Sequence, residues 1–229
     1  MSVESELKLA LPREHATLAR QVLDQLAGGA GRSIHLANVY YDTPALDLQR
    51  SRSALRLRLA GTHWLQTFKS GGGASAGLHR RHEWEMPVDR DALDADALLE
   101  AVEKDLGPAQ SADSEERVSL QQALQSLRSA LPQLSPLFRT DFTRTLWNLV
   151  DGDNQIEAAL DEGEVSVGEG ALRDTLPILE IELELKQGDE AALHRVATIL
   201  RERIPGLAHD DISKAERGYR LRAKLQGTT

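Results

Sequence analysis

The 229-residue sequence contains no cysteine. Disulfides, thiolate metal sites and cysteine nucleophiles are therefore excluded, and a reducing compartment fits. There is no basic excess either: Lys and Arg total 27 against 36 Asp and Glu, a formal net charge of -9. Nucleic acid is not the expected partner, because duplex binding leans on a broad surplus of Lys and Arg. A small anion is still compatible, since a local basic pocket can sit in an acidic protein. No run of about 20 apolar residues exists, so no membrane partner is expected. Glu4 and Glu6 stand where a signal peptide would carry basic residues followed by an apolar run. The expected location is cytoplasmic.

Common catalytic motifs are missing as well. The seven histidines form no His-Glu-x-x-His. The pair His79-x-x-His82 lies beside a glycine run and reads as exposed loop residues rather than metal ligands. In "KSGGG" the lysine precedes the glycines, the reverse of a phosphate-binding P-loop, so residues 70–77 read as a mobile loop. Trp64, Trp84 and Trp147 read as packing residues, not base-stacking platforms.

What is present is strand language with charge on one face. Hydrophobic residues make up 41% and charged residues 28%, enough for a packed core. In "VESELKLAL" Glu4, Glu6 and Lys8 alternate with apolar neighbours, the period of a strand. "ALRLRLAG" puts Arg56 and Arg58 opposite Leu55, Leu57 and Leu59. "LHRRHEWEMPV" puts Arg81, Glu83 and Glu85 on one face. "PILEIELELKQGD" sets Glu180, Glu182 and Glu184 against Ile181, Leu183 and Leu185. Helical stripes occur near 18–26, 120–131 and 193–204, and residues 89–135 read as a mostly helical insertion. "DDISKAERGYRLRAK" reads as a closing helix. The pattern predicts about eight strands, mostly in antiparallel hairpins, with three to five helices. That is an α+β fold in a single domain over 1–229.

A half-buried strand ordinarily wets its polar face. Here the charges are sorted by sign, and carboxylates about 7 Å apart in a row repel one another. Cations between them would relieve that repulsion. A closed barrel with a charged interior and an apolar, helix-covered exterior accommodates both facts. Carboxylates without Cys or spaced His suit a hard divalent cation, Mg²⁺ or Mn²⁺. Arg and Lys on facing walls suit phosphate oxygens. Together they suggest a metal–polyphosphate complex.

At this point the chain resembles a known family. "VESELKLAL", "NVYYDTP", "LRLR", "TFK", "GLHRRHEWE", "LFRTDFTRTLW", "IEAALDEGEV", "LEIELELKQGD" and "SKAERGY" follow in the order of the CYTH superfamily, the triphosphate tunnel metalloenzymes. The resemblance implies an eight-stranded antiparallel β-barrel tunnel acting on a triphosphate with Mg²⁺ or Mn²⁺. It is nearest to the bacterial inorganic triphosphatase branch, whose second helical domain is not expected within these 229 residues. Carried over, the metal-binding residues are Glu4, Glu6, Asp161, Glu180, Glu182 and Glu184. The substrate-binding residues are Lys8, Arg56, Arg58, Lys69, Arg81, Arg139, Arg144 and Lys214. Glu6, Lys8 and Glu182 are the expected catalytic set, with the attacking water near Glu6 or Glu182. The expected reaction cleaves tripolyphosphate to pyrophosphate and phosphate. A thiamine or nucleoside triphosphatase, a class IV-type adenylate cyclase and a non-catalytic polyphosphate-binding module are the alternatives. Oligomeric state, a homodimer included, is left open.

Overall fold

The computed structural model describes residues 2–106 and 114–227. The chain begins with β1 (Ser2–Ala10) and α1 (Ala16–Ala27), then β2 (Arg32–Asp42) and the single turn α2 (Asp47–Arg50). β3 (Ala54–Ala60), β4 (His63–Ser75) and β5 (Leu78–Val88) form consecutive hairpins. Two helices follow, α3 (Ala95–Leu106) and α4 (Ser114–Ala130), then β6 (Ser135–Asp151), β7 (Asn154–Val167) and β8 (Asp174–Gln187). The chain closes with α5 (Ala191–Arg203), the two-residue β9 (Ala208–His209) and α6 (Lys214–Leu225). Within the 89–135 stretch, residues 107–113 lie outside the described residues.

Eight strands pair in the order β5-β4-β3-β2-β6-β7-β8-β1, and β1 returns to pair with β5. Every pairing is antiparallel. The sheet therefore closes into a barrel without free edges. Register follows from the two-residue period: Lys8 sits opposite Glu182 and Arg144 opposite Asp161. One set of side chains points in and the alternate set points out.

The outward set is apolar and covered. Leu7, Leu9, Ile181 and Leu183 are fully buried under α1 and α5. Each such burial stabilises by roughly 1.5–3 kcal/mol. Leu55, Phe68 and Trp84 pack beneath α2, α3 and α4. Trp147 packs outside with α1, as its strand parity requires. The helix α6 differs from the others. It packs Tyr219 and Leu221 against Phe138, Phe142 and Ile178, which share the inward parity of Arg144 and Glu182. Gly218 makes this approach feasible, because a Cβ there would lie 2.2 Å from the Phe138 ring. One part of the interior is thus filled with apolar side chains and α6, and the other part is left to charge.

The glycine run is not a separate loop. β4 continues through it to Ser75, with a register shift between Ser70 and Gly73. This bulge needs glycine: Gly72 has φ +76°, and a Cβ would meet the Arg80 carbonyl at 1.6 Å. His79 and His82 are likewise buried residues of β5 rather than exposed loop residues. His79 Nε2 lies 3.3 Å from the Asp210 carbonyl oxygen.

Candidate active site

A cavity of about 890 Å³ enters the charged part of the barrel. Its wall takes Glu4, Glu6 and Lys8 from β1, Arg56 and Arg58 from β3, and Lys69 from β4. Arg81 of β5, Arg144 of β6, Glu182 and Glu184 of β8 and Lys214 of α6 complete it. Asp161 and Glu180 are fully buried behind this wall. Nearly all the residues singled out in the sequence thus converge. Arg139 does not: it is exposed and lies five residues from Arg144, an odd interval on a strand, so it faces outward.

Two parts of the wall differ in electrostatics. Arg58 is buried, and burial together with neighbouring Arg56 and Arg144 pulls its pKa down to about 10. Its Nε donates to Asn38 Oδ1 at 2.7 Å, and the carboxylate of Glu85 is 3.8 Å away. For Tyr40, burial raises the phenol pKa, but Arg56, Arg58 and Lys214 outweigh it and the net shift is downward. Arg56 and Arg58 share one carboxylate, Glu85, at 3.6 and 3.8 Å, so this part of the wall carries more positive than negative charge.

The opposite holds at β1 and β8. Burial raises the Glu184 carboxyl, Lys186 lowers it, and the negative charges of Glu4 and Glu157 push it further up. Glu6 Oε1 is buried without a hydrogen-bond partner, and Arg81 Nη2 stands 3.9 Å off. Lys69 donates to Glu4 Oε2 at 2.6 Å. Lys186 pairs with Glu184 at 2.6 Å but is shared with Glu157 at 3.3 Å, as Lys69 is shared between Glu4 and Glu83, so this part of the wall carries more negative than positive charge.

The expected metal ligands therefore divide into two groups. Asp161, Glu180 and Glu182 each place an oxygen within 4.8 Å of the others, a buried set that could hold a metal ion. Those oxygens already face protein cations. Lys214 Nζ contacts Asp161, Glu180 and Glu182 at 2.5, 2.5 and 2.8 Å. Arg144 grips Asp161 through Nε and Nη2 at 2.8 and 2.7 Å and also bonds the second oxygen of Glu182. Lys8 Nζ lies 3.6 Å from both Glu180 and Glu182. Glu6 Oε1 meets Arg81 only at 3.9 Å, while Glu4 and Glu184 each pair one oxygen with a lysine at 2.6 Å, and all-oxygen donors of this kind fit Mg²⁺ or Mn²⁺. The repulsion inferred for the acidic row of β8 is thus relieved mainly by the chain's own cations.

The sequence reading missed several wall residues. Glu85 accepts from Thr67 at 2.8 Å and pairs with Arg56 at 3.6 Å. Strand alternation already put it on one face with Arg81 and Glu83, but its role was not assigned. Tyr40 and Asn38 share the inward parity of β2, but no charge marked them. Asp42 accepts from the Thr43, Leu48 and Gln49 amides and from the Tyr219 hydroxyl, tying α2 and α6 to the end of β2.

The CYTH domain profile matches residues 2–219. The inorganic triphosphatase of Haemophilus influenzae is 32% identical over 225 residues. That alignment covers 98% of this chain and 56% of the relative, so the chain spans little more than half of that protein's length. HpAC1 from Hippeastrum, a protein with a dominant triphosphatase activity, superposes with a TM-score of 0.58 at 22% identity over 96% of both chains. PH1819 from Pyrococcus horikoshii OT3 gives a TM-score of 0.55 at 18% identity, over 96% of this chain and 99% of that one. At these identities the two structures bear on the fold alone. The profile match spans nearly the whole chain, which belongs to the CYTH family.

Proposed function

We propose that this CYTH-family chain is a metal-dependent inorganic triphosphatase that hydrolyses tripolyphosphate to pyrophosphate and phosphate inside its barrel. The observation that supports it most is the pairing of two unmet potentials in one cavity. Arg56 and Arg58 have only the carboxylate of Glu85 between them, and Glu4, Glu6 and Glu184 have only lysines shared with other acids and Arg81 at 3.9 Å, so one wall is short of anion and the other of cation. A divalent metal bound to a linear triphosphate supplies both.

Glu4, Glu6 and Glu184 would hold Mg²⁺ or Mn²⁺, which when bound draws charge from phosphoryl oxygens and helps orient water. Arg56, Arg58 and Arg144 bind phosphate oxygens, with guanidinium forks suited to that geometry. Arg144 is pre-oriented by its two bonds to Asp161, so little freedom is lost on binding. Lys69 is braced between Glu4 and Glu83 at 2.6 and 3.3 Å and reaches the same space. Lys8 is held over Glu180 and Glu182, while Arg81 completes the cationic set. Phosphoryl transfer is catalysed mainly by positioning and by stabilising charge, which is what these residues provide. Charge building on the departing pyrophosphate meets guanidinium and ammonium groups already fixed in place.

Phosphate release from tripolyphosphate, ATP and thiamine triphosphate, measured in parallel with Mg²⁺ and with Mn²⁺, tests this reading. A strong preference for tripolyphosphate is expected. Turnover of an organic triphosphate alone would move the function elsewhere in the family, and binding without turnover would leave a polyphosphate-binding module.

A further inference from the structure

We propose that Lys214 is a resident counter-ion occupying what would otherwise be a divalent-cation site, confining metal to the Glu4–Glu6–Glu184 wall. The inference rests on the reading above only in taking the tunnel to be a place where divalent metal binds. An ammonium has three N–H donors, and Lys214 meets three buried carboxylate oxygens at 2.5–2.8 Å. The acids are the same three whose spacing would suit an ion.

The surroundings tilt further against a second metal. Arg144 bonds Asp161 and Glu182, and Arg217 bridges Glu180 at 2.7 Å and Asp210 at 2.5 Å. Lys8 lies beside Glu180 and Glu182. With Lys214, these cations match or exceed the charge of Asp161, Glu180 and Glu182. Lys214 also stacks its ammonium 5.0 Å from the centre of the Phe142 ring, which favours a cation there.

Its place in the helix is informative too. Lys214 opens α6, where Ser213 is the N-cap and its hydroxyl accepts from the Glu216 amide at 3.1 Å. A helix N-terminus disfavours positive charge. The cap delivers a lysine against that local preference, and the acid triad supplies the reason. Burial lowers the Lys214 pKa, but Asp161, Glu180 and Glu182 raise it well above the ordinary lysine value, so it stays charged.

Mn²⁺ bound per chain, counted by electron paramagnetic resonance of the free ion without substrate, decides the matter. Lys214→Ala is expected to bind one more Mn²⁺ than the parent, and Lys214→Arg no more than the parent. Equal numbers for the parent and folded Lys214→Ala would overturn the proposal. Asp161→Asn, which keeps Lys214, covers the case where Lys214→Ala does not fold. It should retain every Mn²⁺ the parent binds, and loss of one would make Asp161 a native metal ligand and refute the inference. A parent that binds no Mn²⁺ while Lys214→Ala binds one would sustain the counter-ion role and count instead against the metal reading.

Discussion

Replacing Arg58 by methionine separates an anion site from a structural ion pair, because the two roles predict opposite balances of stability and function. Burial first, and then Arg56 and Arg144, pull the Arg58 pKa down from the ordinary arginine value to about 10. A cation with a lowered folded pKa burdens the fold at every pH below that value, so the burden is fully present at pH 7. At about 1.4 kcal/mol per pH unit it is on the order of 3 kcal/mol. Arg58→Met removes it but leaves the Asn38 carbonyl oxygen unpartnered, at a cost of about 1–3 kcal/mol. The two terms nearly cancel, so thermal stability should change by only a few degrees. The loss of a charged donor to phosphate costs about 1.5–3 kcal/mol, or about 10- to 150-fold in KM for tripolyphosphate. Steady-state kinetics with a thermal melt measure both. An unchanged KM alongside a large loss of stability would make Arg58 a structural residue and not an anion-binding one.

Two further outcomes are expected. Glu6→Gln should leave the melting temperature nearly unchanged, because Glu6 Oε1 has no hydrogen-bond partner to lose, yet lower kcat by about 100-fold or more through lost metal binding. Parent-like turnover in this variant would remove Glu6 from the metal site. Asp42→Asn should cost about 3 kcal/mol in urea denaturation, since its carboxylate accepts from the Thr43, Leu48 and Gln49 amides and the Tyr219 hydroxyl. A loss below about 1 kcal/mol would mean these bonds contribute little net.

Much of the barrel was legible because strand parity and charge coincide. Glu4, Glu6 and Lys8, Arg56 and Arg58, and Glu180, Glu182 and Glu184 each share a face, and each row faces inward in the closed sheet. Arg139 shows the same rule neglected, since its odd offset from Arg144 already placed it outside. What escaped depended on contacts between distant segments. Lys214 reaches Asp161 only because α6 lies against the inward residues of β6, β7 and β8, and no local pattern encodes that docking. The glycine run hid a strand because a bulge carries turn residues inside a ladder. Tyr40 and Asn38 were silent because uncharged inward positions look like ordinary core.

On the proposed reading, divalent metal and triphosphate together balance the charges left over in the cavity. Phosphate release from tripolyphosphate at rising Mg²⁺, after complete chelation of the purified protein, tests it most directly. No turnover is expected in chelator, with full recovery as Mg²⁺ is restored. Undiminished turnover in chelator would contradict that reading.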